Sequence, residues 1–313
     1  MVVIAVLKGY SQFMSNTSDN RPIGVFDSGL GGLTSVRALE KLLPNENIIY
    51  FGDTGRVPYG TRSNDTIIRY SIDDLAFLVR CKVKAVLIAC GTVSSIALPV
   101  LSRITDIPIV GVVSPACENA CRDAANGKCG TYGNIAVLGT QATAKNGAYE
   151  ARIHEIDSSF NVKTVPCPMF VPLAENGYID DGNKVTMEIA REYIGSLSEF
   201  RPASIILGCT HYPILRSNIE RACREVLGYL PSITDAGECA ARAVGKMLAE
   251  KEALSEKREE DYPKFFVSDE IQNFTKIASA FLGRNIGNVS QIKITDQKPY
   301  EVLDLASLGC TEK

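Results

Sequence analysis

The 313-residue chain contains no tryptophan and only two histidines, His154 and His211. This scarcity argues against a histidine-rich metal site, and a Ser–His relay would have to be built around one of these two residues. No apolar run reaches the ~18 residues that a membrane helix needs. The short apolar patch at the N-terminus lacks the basic region and the cleavage site of a signal peptide. We therefore expect a cytoplasmic protein with no membrane partner.

A strong excess of charge of either sign is also missing, because the formal net charge is -3. This balance gives no reason to expect nucleic acid as a partner. Phosphate-binding motifs are missing as well. Gly29-Leu30-Gly31-Gly32 does not make G-x-G-x-x-G, because Thr34 holds the position of the third glycine, and no P-loop motif occurs. Nucleotide binding is therefore not supported.

The ten cysteines contain no C-x-x-C pair, which disfavours a disulfide exchanger. In a cytosolic chain of this length, cysteines are expected to be free thiols. Cys117, Cys121 and Cys129 are closely spaced, but a metal site there would lack a fourth ligand nearby. We expect packed or surface thiols at these three positions, and neither a metal nor a cofactor in the protein.

Short apolar segments alternate with segments of helical periodicity. Ile68, Ile72, Leu75, Leu78 and Val79 form one helical stripe. This alternation predicts an α/β fold whose parallel sheets are covered by helices on both faces. The predicted strands are residues 23–26, 48–51, 83–89, 107–113, 135–138, 204–207, 231–234 and 265–268.

The two halves of the chain resemble each other. IGVFDSGLGGL is similar to IAVLGTQATAKNG, and AVLIACGTVSSIALPVL is similar to SIILGCTHYPILRSNI. We therefore predict two similar α/β domains related by a pseudo-two-fold axis, with the active site in the cleft between them. The predicted first domain comprises residues 22–115 and 230–313, and the second comprises residues 116–229. Residues 1–21 are predicted to be an N-terminal extension that need not be ordered.

Cys90 and Cys209 occupy matching positions, each after a predicted strand and before a predicted helix. The unpaired N–H groups at a helix start favour a thiolate and can bind a carboxylate. Two opposed cysteines could invert a carbon centre, because one could take a proton from one face while the other gives a proton to the opposite face. The alternative is that both are buried structural cysteines, which is common for a single free cysteine. Their matching positions favour the chemical role.

Asp27 and His211 are the next candidates. Asp27 ends the first predicted strand and could contact a substrate ammonium or the Cys90 proton, although a helix N-cap is an alternative and compatible role. His211 follows Cys209 by two residues and could assist that thiol. A lone histidine is usually structural, but this one lies beside a candidate reactive cysteine.

These residues lie in six ordered blocks that closely resemble the glutamate racemase family. The resemblance covers residues 22 to about 285, and Pro58-Tyr59-Gly60 distinguishes it from the related aspartate racemases. It implies two flavodoxin-like domains and a cofactor-independent interconversion of L- and D-glutamate, which supplies D-glutamate for peptidoglycan synthesis. It also implies a homodimer. The six blocks are IGVFDSGLGGLTSVRAL, YFGDTGRVPYGTRS, IACGTVSS, VLGTQATAKNGAY, CPMFVPLAENG and LGCTHYPIL.

The resemblance also implies roles for single residues. Cys90 and Cys209 match the catalytic acid/base pair, Cys90 on the face of the D-enantiomer and Cys209 on the face of the L-enantiomer. Asp27 and His211 match the groups that assist them. Without the resemblance, Thr140 and Thr143 would be interpreted as turn and helix-cap residues. The implied substrate-binding residues are Asp27, Ser28, Pro58, Tyr59, Gly60, Gly91, Thr92, Thr140, Thr143, Glu175, Thr210 and His211.

One position departs from the family pattern, since Cys90-Gly91-Thr92 stands where Cys-Asn-Thr is most common. One substrate hydrogen bond is then missing, unless a water replaces it or Gly91 gives the substrate closer access to the backbone. This departure keeps open the racemisation of another amino acid, such as aspartate. A regulatory or binding protein that lost the activity is a further alternative, which the intact cysteine pair disfavours.

Overall fold

Two parallel β-sheets form the framework of the protein, and the computed structural model describes residues 18–126, 131–269 and 271–304. The first sheet has the strand order β10-β9-β2-β1-β3-β4, and the second has the order β6-β5-β7-β8. The strands are β1 (Ile23–Asp27), β2 (Ile48–Gly52), β3 (Ala85–Ile88), β4 (Ile109–Gly111), β5 (Thr131–Gly139), β6 (Asn161–Pro166), β7 (Pro202–Leu207), β8 (Ser232–Asp235), β9 (Lys264–Val267) and β10 (Val289–Gln291).

Helices connect the strands and cover the sheets. Short 3₁₀ turns occur at Tyr59–Thr61, Tyr212–Leu215, Ile294–Asp296 and Pro299–Glu301. The α-helices are α1 (Leu33–Leu42), α2 (Asn64–Arg80), α3 (Gly91–Ile96), α4 (Leu98–Leu101), α5 (Val113–Ala125), α6 (Gln141–Asn146), α7 (Ala148–Ile156), α8 (Phe170–Glu175), α9 (Lys184–Gly195), α10 (Arg216–Leu227), α11 (Ala236–Glu250) and α12 (Ile271–Leu282).

The predicted fold class is confirmed. Each predicted strand overlaps an observed one, and the predicted helical stripe lies on α2. The order β2-β1-β3-β4 in the first sheet is repeated as β6-β5-β7-β8 in the second, as the similarity between the halves predicted. Two strands, β6 and β10, were not predicted.

Side chains of the first sheet alternate between two cores, as the period of a β-strand requires. Val25 and Leu87 point to a core shared with α1, whereas Phe26 and Ile88 point to a core shared with α2. The first of these cores continues through α5 and α11 into the second sheet. The two sheets are therefore joined by a continuous apolar cluster behind their strand ends.

The predicted domain boundaries need two corrections. The boundary at residue 230 would assign β8 to the first domain, but β8 hydrogen-bonds to β7 in the second sheet, with Ile205 opposite Ile233. The boundary at residues 115–116 falls inside α5, because Val113–Ala125 is one uninterrupted helix. Apolar periodicity identifies strands but does not tell which sheet a strand joins.

The end of the predicted N-terminal extension is attached to the first sheet. The carbonyl of Asn20 accepts a hydrogen bond from Asn47 Nδ2 at 2.8 Å, and the carbonyl of Asp19 accepts one from Lys84 Nζ. Lys84 is itself buried and pairs with Glu46 at 2.6 Å. Residues 1–17 lie outside the described residues. Within the described part of the chain, no helix is both long and apolar enough to cross a membrane.

Candidate active site

A cavity of about 440 Å³ lies between the carboxyl ends of strands from both sheets. Segments after β1, β2 and β3 form one wall, and segments after β5, β6 and β7 form the other. In parallel sheets these strand ends meet at one edge, which explains why the polar side chains collect here. All of the candidate residues line this cavity: Asp27, Ser28, Pro58, Tyr59, Gly60, Cys90, Gly91, Thr92, Thr140, Thr143, Glu175, Cys209, Thr210 and His211.

Cys90 is the N-cap residue of α3 and is buried, with 7% of its surface exposed. Burial, followed by the negative charge of Asp27, raises the pKa of the Cys90 thiol to about 11. Hydrogen bonds to the sulfur from Ser28 and from the backbone N–H groups of Val93 and Thr92 oppose this shift. At neutral pH Cys90 is therefore a thiol that can give up a proton.

Asp27 binds the loop that leads into α1. Its Oδ2 accepts hydrogen bonds from the backbone N–H groups of Gly29 at 3.2 Å and Gly32 at 3.1 Å. The N-cap residue of α1 is Gly32, so Asp27 holds the helix entrance from five residues upstream rather than capping it. Burial raises the pKa of Asp27, and the nearby His211 charge opposes that shift. In the described part of the chain its Oδ1 has no hydrogen-bond partner, so this oxygen is available to a substrate ammonium or to a thiol.

Cys209 lies after β7, and its surroundings differ from those of Cys90. The α-helix predicted to follow it starts only at Arg216, after a 3₁₀ turn over Tyr212–Leu215. Pro213 lies in the first turn of this 3₁₀ segment, where its missing N–H group leaves no helix hydrogen bond unmade. Cys209 thus has no α-helix start beside it, and another group must stabilise charge on its sulfur.

His211 is that group. Its Nδ1 lies 3.8 Å from Cys209 Sγ, and its Nε2 lies 2.9 Å from Glu175 Oε1. Burial alone would lower the pKa of His211, but the hydrogen bonds to Cys209 and Glu175 outweigh it and raise the pKa to about 10. The imidazole is therefore cationic at neutral pH and lies beside the Cys209 sulfur. Glu175 holds the ring from the side opposite Cys209. The sequence indicated Glu175 only through the resemblance to the family.

Threonine hydroxyls complete the second wall of the cavity. Thr140 is the N-cap residue of α6, where its Oγ1 accepts a hydrogen bond from the N–H group of Thr143 at 3.2 Å. The two Oγ1 atoms are 3.1 Å apart. Both side chains line the cavity, so the predicted capping role and the substrate-binding role are compatible.

Tyr59 reaches the cavity, but its hydroxyl is used elsewhere. The hydroxyl donates to the buried carboxylate of Asp53 and lies 2.9 Å from Asp74 Oδ2. Arg56 pairs with both carboxylates, at 2.5 and 2.8 Å. Because this cluster occupies the hydroxyl, Tyr59 can offer a substrate its backbone and ring only. Sequence patterns did not reveal the cluster, since its members are spread from residue 53 to residue 74.

Other cavity residues were also missed. Thr54 and Gln141 follow the ends of β2 and β5 by two residues, so their positions at strand ends could have identified them. Phe274 lies on α12, a helix near the C-terminal end of the chain that packs against α1. No local sequence signal connects Phe274 with the cavity.

The three closely spaced cysteines are only partly described. Cys117 and Cys121 are buried on α5, and Cys129 lies outside the described residues. The cysteines of the described ranges are all free thiols. Within those ranges, no group of three or more His, Cys, Asp or Glu side chains is arranged to hold a metal ion.

Comparison with known proteins gives a consistent result. The Asp/Glu/hydantoin racemase family matches residues 33–244. The glutamate racemase of Geobacter metallireducens is 40% identical over 278 residues, which cover 89% of this chain and 98% of that protein. The crystal structure of glutamate racemase from Francisella tularensis with D-glutamate has a TM-score of 0.77 at 33% identity, covering 88% of this chain and 98% of that one.

A further solved relative is the glutamate racemase from Thermus thermophilus, in complex with β-chloro-D-alanine. It is 37% identical, has a TM-score of 0.73, and covers 89% of this chain and 99% of that one. The fold and these likenesses define an isomerase of the amino-acid racemase class. The chain belongs to the Asp/Glu/hydantoin racemase family, which confirms the resemblance found in the sequence.

Proposed function

We propose that this protein interconverts L- and D-glutamate by proton transfer at Cα between Cys90 and Cys209. The observation that supports this proposal best is that two thiols from equivalent strand ends of two similar sheets line one cavity. Inversion of a carbon centre requires an acid and a base on opposite faces, and two facing half-sites supply one group each. Glutamate is proposed as the substrate because relatives that are 40% identical to this chain are glutamate racemases.

The direction of each step is inferred from the resemblance, which assigns Cys209 to the face of L-glutamate and Cys90 to the face of D-glutamate. Beginning with L-glutamate, the Cys209 thiolate takes the Cα proton, and the Cys90 thiol donates a proton to the opposite face of the carbanion. Cys209 is then a thiol and Cys90 a thiolate, so the reverse reaction begins from D-glutamate. Between turnovers the cationic His211 favours the return of negative charge to Cys209.

The developing negative charge needs stabilisation on Cα and on the substrate carboxylate. The backbone N–H groups at the start of α3 and the hydroxyls of Thr92, Thr140 and Thr143 are placed to donate to it. Asp27 Oδ1 is proposed to accept a hydrogen bond from the substrate ammonium or from the Cys90 thiol.

The second candidate substrate is another amino acid, because Gly91 lacks the asparagine side chain that is most common in the family at this position of the cavity. A direct assay separates the two. Purified protein is incubated with L-glutamate and, in parallel, with L-aspartate, and optical rotation and chiral chromatography follow the loss of the L-form. Glutamate should racemise to a 1:1 mixture. No loss of rotation with either substrate would overturn the proposed function, and faster loss with aspartate would overturn the proposed substrate.

The physiological context is proposed from the same resemblance. D-Glutamate made in the cytoplasm would supply peptidoglycan synthesis, and the protein would act as a homodimer. Sedimentation equilibrium at several protein concentrations tests the second statement, because a monomer at all concentrations would contradict it.

A further inference from the structure

Tyr149 is a buried polar residue that the proposed reaction does not use. It lies on α7 beside the second sheet, and only 2% of its surface is exposed. Within the described ranges its hydroxyl has no hydrogen-bond partner. A buried hydroxyl without a partner is unfavourable, and in folded proteins such groups are usually satisfied by protein or by ordered water.

The hydroxyl stands next to a second, much smaller cavity. This cavity has a volume of about 10 Å³, close to the roughly 10–15 Å³ that a single buried water needs. Gly91, Gly208, Cys209 and Thr210 line both this cavity and the large one. The small cavity therefore lies directly behind the candidate catalytic wall, at the junction of the two halves.

Gly91 leaves room in front of the Tyr149 hydroxyl. A Cβ atom built on Gly91 would lie 3.8 Å from Tyr149 Oη and 3.1 Å from the carbonyl oxygen of Gly208. Tyr149, Gly208 and Cys209 all line this small cavity, and they carry a hydroxyl, a carbonyl and a thiol. A buried water needs two to four polar partners, and these three groups meet that need.

The Tyr149 hydroxyl keeps its proton here and can donate it in a hydrogen bond. Burial, followed by the nearby thiols of Cys117, Cys209 and Cys90, raises the pKa of Tyr149 well above its ordinary range. Cys209 is the only other titratable residue among those that line the small cavity. A hydrogen bond passed from a neutral phenol to this sulfur would stabilise the thiolate more than the thiol.

We propose that Tyr149 is a positioning residue for Cys209: its hydroxyl binds one water in the small cavity, and that water hydrogen-bonds to the Gly208 carbonyl and to Cys209 Sγ. The inference rests on the proposed role of Cys209 as an acid/base. It adds a connection from α7, behind the active site, to the thiol that faces the substrate.

The test compares Tyr149→Phe with Tyr229→Phe. Phenylalanine at position 149 keeps the ring and removes only the hydroxyl. Tyr229 is the matched control, because its hydroxyl donates to the Pro202 carbonyl at 3.0 Å and it lines neither cavity. The rate of iodoacetamide alkylation at Cys209 is measured against pH by mass spectrometry of its peptide, together with kcat and KM for glutamate.

In Tyr149→Phe the midpoint of Cys209 alkylation should move to higher pH by roughly 0.4–1.1 units, the effect of one lost hydrogen bond on a thiolate. The value of kcat should fall by roughly 2- to 13-fold while KM changes little. Tyr229→Phe should leave the midpoint and both constants unchanged. An unshifted midpoint in Tyr149→Phe would overturn the inference, because it would mean that no hydrogen bond connects the Tyr149 hydroxyl to the Cys209 sulfur.

A high-resolution crystal structure of the unaltered protein gives the second measurement. A water bonded to Tyr149 Oη and to Cys209 Sγ supports the inference, and an empty small cavity overturns it. Alkylation and crystallography need no turnover, so they remain informative if glutamate is not racemised. A shifted midpoint in a protein that does not racemise glutamate would contradict the proposed function and leave the Tyr149 connection standing.

Discussion

At the scale of single residues, the two candidate cysteines differ in the charges around them. Cys90 lies beside the carboxylate of Asp27, which together with burial raises its pKa to about 11. Cys209 lies 3.8 Å from His211, whose pKa is raised to about 10. Cys90 therefore faces a carboxylate and Cys209 faces an imidazole, although both thiols line the same cavity.

The first prediction concerns Glu175, which holds His211 from the side opposite Cys209. Glu175→Gln keeps an oxygen acceptor for Nε2 but removes the negative charge that helps to raise the pKa of His211. His211 should then lose its proton at lower pH. The high-pH limb of the kcat/KM profile, which lies near pH 10 if His211 must be cationic, should move down by about one unit.

At pH 8 the same variant should lose little kcat/KM, because His211 is still mostly cationic one unit below a limb near pH 9, whereas at pH 10 the loss should be about fivefold. Glu188→Gln is the control, since Glu188 pairs with Arg191 on the outside of α9. If the high-pH limb stays in place in Glu175→Gln, the His211 cation does not support the thiolate.

The second prediction concerns Gly91. Gly91→Asn restores the common family side chain and should lower KM for glutamate by roughly 2- to 13-fold, the contribution of one net hydrogen bond of about 0.5–1.5 kcal/mol. The new Cβ would meet the Gly208 carbonyl at 3.1 Å, so the backbone there must shift by a few tenths of an ångström, and the sign of the effect depends on that shift. Initial-rate kinetics measure the change. A higher KM would mean that this protein uses the bare backbone at position 91 and that its pocket differs from the family's.

At the scale of elements, the loop between β1 and α1 and the first turn of α1 both contact the segment after β7 in the other half of the molecule. Thr34 Oγ1 donates to the Thr210 carbonyl at 2.9 Å. A Cβ atom on Gly31 would lie 2.2 Å from Thr210 Oγ1 and 2.5 Å from His211 Nδ1. This contact is closer than any real Cβ could occupy, so only glycine allows the loop to press against the Cys209 segment.

The third prediction follows from that contact. Gly31→Ala must displace Thr210 or His211, and a misplaced assisting group should lower kcat/KM by at least about 10²-fold. Gly195→Ala is the control, because Gly195 ends α9 with no atom within 4 Å of the added Cβ. Circular dichroism of both variants checks that they are folded. A folded Gly31→Ala protein with unchanged kcat/KM would show that the loop does not fix His211.

The same scale shows what sequence patterns could and could not predict. The central strands were found because they are buried on both faces and therefore form continuous apolar runs. The missed strands, β6 and β10, are edge strands of their sheets and expose polar residues such as Asn161 and Gln291. The other two edge strands, β4 and β8, were predicted because they contain apolar residues such as Val110 and Ile233, so an edge strand is missed when its composition does not distinguish it from a loop.

The candidate site divides in the same way. Cys90 and Cys209 could be found because each follows a buried strand, and the start of α3 directly after Cys90 was correctly predicted. The support of Cys209 by Glu175 through His211 depends on a contact between α8 and the segment after β7. A contact between residues so distant in sequence follows from tertiary packing, which residue periodicity does not encode.

At the scale of the whole molecule, the repeated strand order gives each half one thiol on a shared cavity. Enantiomers in water have equal free energy, so the equilibrium constant is one and every variant has equal kcat/KM in both directions. Net rates therefore cannot assign a thiol to a face. Partial reactions can, because each half of the molecule is expected to exchange the proton of one enantiomer only.

The fourth prediction uses this property. In Cys90→Ala, Cys209 should still remove the Cα proton of L-glutamate, but no thiol remains to donate on the opposite face. Racemisation should fall by roughly 10²–10⁴-fold, the usual contribution of a positioned acid or base. If the Cys209 proton exchanges with solvent, L-glutamate in heavy water gains deuterium at Cα without becoming D-glutamate. Cys209→Ala should instead label D-glutamate.

NMR of the Cα position, combined with chiral separation, measures both outcomes in each variant. Cys223→Ala is the control, because Cys223 is buried on α10 and lines neither cavity. It should racemise and label both enantiomers as the unaltered protein does. If each active-site variant labels the opposite enantiomer, Cys90 acts on the face of L-glutamate and Cys209 acts on the face of D-glutamate. Substantial racemisation by either alanine variant would remove that cysteine from the proposed pair, because one remaining thiol has access to a single face of the carbanion.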